Sequence, residues 1–320
     1  MSANAKRTIV SSAAEEKLAE IVRDPEQTAK HLRDAAKSIV DSRVAKRFYD
    51  DCYALAYSAS DLERRPFLNI GPGSFRHPMW RTADKKYGDD ATAWTEMRRG
   101  VEQPGADYNW DIYSGQQMQE ADGFFKVIYT SHVIEHLFPQ DVLFLLKEAR
   151  RLLEPGGRIR IVCPDATLMV DAYIAQDWQY FLHYLIVKTK RLEKPAARLT
   201  EREKREISAT FLVEWVSLLT NKQNPKTFSA AECVTFLDSF TDLYDAFDAA
   251  GELSLRDVNI TEGGHVNWFN ARKLTLLLKS SGFSAVKISG FQQSSLAILR
   301  DGRFFDRTDP EMSLFVEATA

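Results

Sequence analysis

The stretch "FLNIGPGSFRHPMW", residues 67–80, decides the fold. A short apolar run from Phe67 to Ile70 stops abruptly at Gly71-Pro72-Gly73. Such a run, bounded by turn residues, reads as a buried strand ending in a sharp turn. Glycine reaches positive φ without penalty and puts no side chain between its backbone and a ligand. The turn therefore either bends the chain tightly or lets a ligand lie on the backbone. A dinucleotide fingerprint would carry a third glycine where Arg76 stands, which argues against a nicotinamide enzyme.

Outward from this turn, strand and helix patterns alternate. "WRTAD" (80–84) reads as a short strand, "ADYNWDIYS" (106–114) as an edge strand and "FKVIYTS" (125–131) as a buried one. "DVLFLLKEARRLLEPGG" (141–157) reads as a helix with Leu143, Leu146, Ala149 and Leu153 on one face, stopped by Pro155-Gly156-Gly157. "RIRIVCPD" (158–165) is the next strand. The pattern resumes late with the helix "NARKLTLLLKSSGF" (270–283) and the strands "SAVKISGF" (284–291) and "MSLFVEA" (312–318). Alternation of this kind implies a parallel sheet with ligands outside the carboxyl ends of its strands. Residues 12–60 read as helical throughout, and from about 166 to 260 the alternation lapses into helical patterns. The expected organisation is an N-terminal helical segment (1–60), an α/β core (61–168 and 261–320) and a helical insertion (169–260).

Composition sets the class. The chain has 320 residues, 44% hydrophobic and 27% charged, enough for one full core with an appendage. A net charge of −3 argues against a dedicated nucleic-acid binder. No apolar run approaches the ~20 residues that span a bilayer. The N-terminus gains acids too early for a signal peptide, so a cytoplasmic location is expected. Cys52, Cys163 and Cys233 are scattered, without a C-x-x-C pair, and suggest neither a disulfide framework nor a zinc site.

Asp84 ends the second strand beside the glycine turn, where a carboxylate can accept hydrogen bonds from both hydroxyls of a ribose. Asp111 stands at or just past the end of the third strand, with acceptor oxygens for an exocyclic amine. Taken together, "LNIGPGSFRHPMWRTAD", "DYNWDIYSG", "VIYTSHVIEHL" and "EARRLLEPGGRIRIVCPD" resemble the successive motifs of class I S-adenosylmethionine-dependent methyltransferases. The likeness is to the broad type 11 branch, with its S-H-x-x-E-H segment after strand four. It covers residues 66–165 well and 264–320 moderately.

The resemblance implies a Rossmann-like seven-stranded methyltransferase sheet, mostly parallel with an antiparallel last strand. It implies S-adenosyl-L-methionine as cofactor, held by Asn69, Gly71, Gly73, Asp84, Asp111, Ser131 and His132. Two departures stand out: the family's third glycine is absent, and the short Gly73–Asp84 interval leaves little room for a first helix, so His77 and Trp80 become candidate ligand contacts. Methyl transfer from a sulfonium needs alignment and, for a hydroxyl acceptor, a base, but no metal. His132, His265 and Asp165 are the candidate catalytic residues, with a structural or cofactor-positioning role competing for His132, helix capping competing for His265 and Asp165, and with His136 as a brace.

A run of basic residues at 188–205 carries five net positive charges: Lys188, Lys190, Arg191, Lys194, Arg198, Arg202, Lys204 and Arg205 against Glu193, Glu201 and Glu203. It suits either a solvated helix face or an anionic acceptor. The nearby aromatics Trp178, Tyr180, Phe181 and Tyr184 fit core packing or sugar stacking equally. The expected activity is metal-independent O-methylation of a small-molecule or saccharide acceptor. The alternatives are a non-catalytic partner-binding subunit and a methyltransferase of protein or RNA. A homo-oligomer stays open.

Overall fold

The computed structural model describes residues 51–85, 105–189, 194–221, 227–254 and 264–320. The chain divides into two units, residues 1–59 and 60–320. Of the first, only 51–59 are described, helical over 51–56, so the helical reading of 12–50 lies outside the described residues.

The second unit is built on seven strands: β1 (Phe67–Ile70), β2 (Trp80–Asp84), β3 (Tyr108–Asn109), β4 (Phe125–Ser131), β5 (Leu153–Pro164), β6 (Ser284–Ser289) and β7 (Ser313–Thr319). They pair in the order β3-β2-β1-β4-β5-β7-β6. All run parallel except β7, which is antiparallel to both β5 and β6. This is the Rossmann-like sheet expected from the sequence. Phe67, Leu68, Ile70, Val127, Ile128, Ile159 and Ile161 are buried, the continuous apolar signature of strands covered on both faces. Strand order reverses between β1 and β4, and ligands settle at the carboxyl edge of such a switch point.

Helix α1 (Pro139–Leu152) begins with proline at its first turn, where the missing N–H costs nothing. Its buried face is Val142, Leu145, Leu146, Ala149 and Leu152. Leu143 is only half-buried, and Leu153 already belongs to β5. The helix stops earlier than the sequence suggested because Pro155 biases its predecessor away from the helical region. Pro155-Gly156-Gly157 therefore lies within β5.

After β5 the described elements are helical for some ninety residues: α2 (Ala166–Ile174), α3 (Trp178–Tyr184), α4 (Glu201–Glu214), α5 (Ala230–Asp238) and α6 (Leu243–Leu253). Capping boxes at Thr200/Glu203 and Ser229/Glu232 start α4 and α5. These helices bury their own apolar cluster, including Phe181, Phe211, Leu212, Val216 and Phe247, apart from the cluster under the sheet. Helix α7 (Ala271–Ser280) then returns the chain to β6. No helix among the described residues is long and apolar enough to cross a membrane.

The β1–β2 link departs most from a standard crossover. Parallel neighbours usually need about a dozen residues or more, commonly a helix. Here residues 71–79 make the connection without one. Phe75 from this link packs against Phe304 and Phe305 of the β6–β7 loop, with Phe305 wedged against Trp80 and Tyr129 at 5.0 Å each.

Candidate active site

A cavity of about 600 Å³ opens at the carboxyl ends of β1, β2 and β4. All seven residues expected to hold the cofactor line it: Asn69, Gly71, Gly73, Asp84, Asp111, Ser131 and His132. Gly71 and Gly73 both have positive φ, 65° and 51°. A Cβ on Gly71 would come within 2.3 Å of Val133 Cγ2, whereas one on Gly73 would meet nothing within 4 Å. Gly71 is thus bare because Val133 crowds it; Gly73 is bare facing open space. Asn69 Oδ1 is buried without a hydrogen-bond partner, an acceptor that a ligand's donor would satisfy.

Asp84 Oδ1 accepts from the Lys85 N–H at 2.9 Å. Asp111 caps the short 3₁₀ turn Ile112–Ser114 by accepting from the Tyr113 N–H at 3.0 Å. Both carboxylates are pinned through Oδ1, which fixes how each presents its other oxygen. β3 itself is only two residues long, so Asp111 sits past the strand rather than in it.

His132 follows β4 with φ of 53°, a conformation a non-glycine residue adopts at a cost of about 1–2 kcal/mol. Its Nε2 lies 2.9 Å from Ser313 Oγ, and its Nδ1 lies 3.1 Å from Glu135 Oε1. Ser313 Oγ is also within hydrogen-bond reach of the Thr308 and Asp309 carbonyls, at 3.2 and 2.8 Å. The Glu135 carboxylate faces Nδ1 as an acceptor. Burial pulls this imidazole down, but the charge and hydrogen bond of Glu135 override it and leave the group above its ordinary value. His132 is thus held between Glu135 and Ser313 at the edge of the cavity. Glu135 is fully buried; burial would raise its carboxyl, but the imidazoles of His132, His136 and His265 bring it down to about 2.

The other two catalytic candidates stand elsewhere. Asp165 does not line the cavity and caps α2 by accepting from the Thr167 N–H at 2.9 Å. His265 does not line it either; its Nδ1 lies 3.0 Å from the Trp215 carbonyl and its ring meets His136 edge-on at 4.8 Å. Burial, reinforced by His136, pushes His265 down to about 4, so it is neutral at ordinary pH. His136 does line the cavity, its Nδ1 2.8 Å from the Gly264 carbonyl and its own carbonyl accepting from the Tyr113 hydroxyl at 2.6 Å.

His77 and Trp80 are not among the lining residues; Trp80 is core, 1% exposed. Nor does any described residue of 169–260 line the cavity. Five of the basic residues in the 188–205 run are ion-paired to neighbouring acids: Lys188 to Asp309 and Glu311, Lys194 to Glu203, Arg202 to Glu206, Lys204 to Glu201 and Arg205 to Asp238. Lys190 and Arg191 lie outside the described residues. The run is largely a neutralised helix surface. Trp178 and Phe181 are buried in the helical cluster, and Tyr180 and Tyr184 pack against it, so this quartet is core rather than a sugar platform.

The cavity contacts that sequence reasoning missed come from the β6–β7 loop: Arg303, Phe304, Arg307 and Thr308. With Arg76 and Lys85 they add four basic side chains to the lining, of which Arg303 is paired with Asp301. The dense Arg–Asp alternation of "LRDGRFFDRTDP" (299–310) was the available signal.

Residues 70–161 match the type 11 methyltransferase family model, described as a methyltransferase domain. No curated protein matches the chain significantly. Among solved structures, a SAM-dependent methyltransferase from Archaeoglobus fulgidus aligns over 79% of this chain and 85% of its own, at 15% identity and a TM-score of 0.32. A possible histamine N-methyltransferase from Thermotoga maritima aligns over 85% and 95%, at 12% identity and 0.33. The CurJ carbon methyltransferase aligns over 89% of this chain and 57% of its own, at 13% identity and 0.35. Scores this low carry no argument about the present chain. The strand order and the family match make residues 70–161 part of a class I methyltransferase domain of the type 11 branch, with S-adenosylmethionine as its cofactor.

Proposed function

We propose that this protein methylates an oxygen of a small-molecule or saccharide acceptor. The observation that carries the reading is the convergence of Asn69, Gly73, Asp84 and Asp111 on one cavity, with a buried acceptor and bare backbone facing it. In this reading Asp84 accepts from the ribose hydroxyls and Asp111 from the adenine amine. The Gly71–Gly73 turn lies under the methionine portion, and Arg76, Arg303 and Arg307 suit its carboxylate or an anionic acceptor. When bound, the cofactor supplies a sulfonium-activated methyl group. The chain's own work is alignment and exclusion of water, with the β6–β7 loop closing one side. His132 contributes by holding Glu135, and stands at the cavity edge as the candidate to take an acceptor's proton.

The test is transfer of labelled methyl from S-adenosylmethionine into separated small-molecule, protein and RNA fractions of a cell extract. Label in the small-molecule fraction is expected, removable by treatments that cleave methyl ethers or esters. Label confined to protein or RNA would contradict the acceptor class. No label in any fraction, with cofactor still bound, would favour a partner-binding subunit.

A further inference from the structure

Glu135 and His136, neighbours in sequence, meet the distant His265 beside the cavity, which His136 itself lines. Glu135 and His136 belong to the 3₁₀ turn Ile134–His136 that follows β4, and His265 comes from the segment leading into α7. One donor atom from each lies within 4.8 Å of the other two. Both imidazoles are oriented from behind: His136 Nδ1 lies against the Gly264 carbonyl at 2.8 Å and His265 Nδ1 against the Trp215 carbonyl at 3.0 Å. A carbonyl only accepts, so each Nδ1 carries a ring proton, which directs metal binding to Nε2. Proteins orient metal-binding imidazoles in this way, through the far ring nitrogen.

The carboxylate supplies an independent observation. Glu135 is 1% exposed, and neither of its oxygens accepts a well-formed hydrogen bond, although Oε1 faces His132 Nδ1 at 3.1 Å. A buried carboxylate oxygen without a partner is costly. His132 meets Glu135 from one side, and Oε2 has no hydrogen-bond partner in the structure. A cation bound between Oε2 and the two imidazoles would satisfy it.

We propose that Glu135, His136 and His265 bind a divalent transition-metal ion at the wall of the cofactor cavity. Two imidazoles and one carboxylate suit zinc and its borderline neighbours better than magnesium or calcium, which prefer oxygen ligands. Ligands of one such ion stand roughly 3–4 Å apart when the metal–ligand bonds are 2.0–2.2 Å. The cluster therefore needs to contract by only about 1 Å. His136 reaches the cavity itself, so the ion is approached from the side where an acceptor would lie. There it serves as a Lewis acid that holds an acceptor oxygen or nitrogen, a role that rests on the methyl-transfer reading; the binding of the ion does not. The sequence showed no such cluster because 128 residues separate Gly264 from the His136 it orients.

The test uses the full chain stripped with a chelator and titrated with Co²⁺, read by visible absorption, and with Zn²⁺, read by calorimetry. One equivalent of Co²⁺ should give ligand-field bands, and Zn²⁺ should raise the melting temperature. Glu135→Gln and His265→Asn should each weaken Zn²⁺ by roughly tenfold or more, since even outer hydrogen bonds to such ligands carry tenfold effects. His183→Ala, at an exposed histidine elsewhere, should change nothing. Circular dichroism checks that the variants fold, and the wild-type Co²⁺ spectrum decides the matter if they do not. Absence of ligand-field bands in wild type, or unchanged Zn²⁺ affinity in folded variants, would overturn the site. S-adenosylhomocysteine affinity measured in the stripped protein separates loss of this site from failure of the methyltransferase reading.

Discussion

Two glycines two positions apart do different things. Both were read as the floor beneath a ligand, because sequence shows only that a Cβ is missing. The structure adds what stands opposite: Val133 Cγ2 for Gly71 and open cavity for Gly73. Gly71→Ala should therefore cost about 2–5 kcal/mol, from the left-handed backbone and from overpacking against Val133. Val133→Ala in the same chain should return about 1–3 kcal/mol of that as a coupling energy. Denaturant midpoints of the four proteins of the cycle check this. Strict additivity would leave only the backbone conformation as Gly71's requirement. His132 teaches the complementary lesson. Its position after β4 was legible from "VIYTSH", but its contact with Ser313, which is 181 residues away, is invisible to local pattern. Asp165 and Asp111 cap neighbouring turns, a role that spacing alone left open beside the chemical one.

Among the elements, the strands were the most legible, since parallel strands buried on both faces are apolar runs with sharp ends. The β6–β7 loop was the least legible, because it is organised by charge rather than by periodicity. Arg160 on β5 is fully buried, bonded through Nε to Asp306 Oδ1 at 3.0 Å and through Nη1 to Glu317 Oε1 at 3.0 Å. Glu317 sits opposite it on β7, and Asp306 belongs to the loop. A second bond to Asp306 Oδ2 makes that contact two-pronged, a geometry guanidinium provides and ammonium does not. The Asp306 N–H also donates to the Tyr129 hydroxyl at 2.8 Å, tying the loop to β4. Replacing Arg160 by Met would strand two buried carboxylates and should cost about 3–5 kcal/mol. Because Asp306 anchors the stretch that carries Arg303, Phe304 and Arg307, S-adenosylhomocysteine affinity should fall in the same variant. Thermal melts and calorimetry together test this link. A destabilised variant that binds the ligand with wild-type affinity would show that the loop keeps its place without the ion pair.

For the whole molecule, the sheet and the helical cluster fold around separate apolar cores. The break in strand–helix alternation near residue 166 marked the change, because period 2 and period 3.6 patterns rarely coexist in one segment. Less legible was what the helical segment does for the cavity. A basic run and an aromatic group were each compatible with acceptor contact or with an ordinary helix surface and core; tertiary partners pair most of the described basic residues and pack the aromatics into the helical cluster. The sheet edge instead draws contacts from the β1–β2 link, where a regular crossover is absent, and from the β6–β7 loop, which packs against that link through Phe75 and Phe305. The central claim is that this edge binds S-adenosylmethionine, with Gly73 under the ligand and Asp84 on its ribose. Calorimetric titration of S-adenosylhomocysteine into wild type, Gly73→Val and Asp84→Ala tests it most directly. The account predicts measurable binding by wild type, none by Gly73→Val despite an intact fold, and a loss of about 1.5–3 kcal/mol for Asp84→Ala, the range for a hydrogen bond to a charged group. Equal affinity in all three proteins would contradict it.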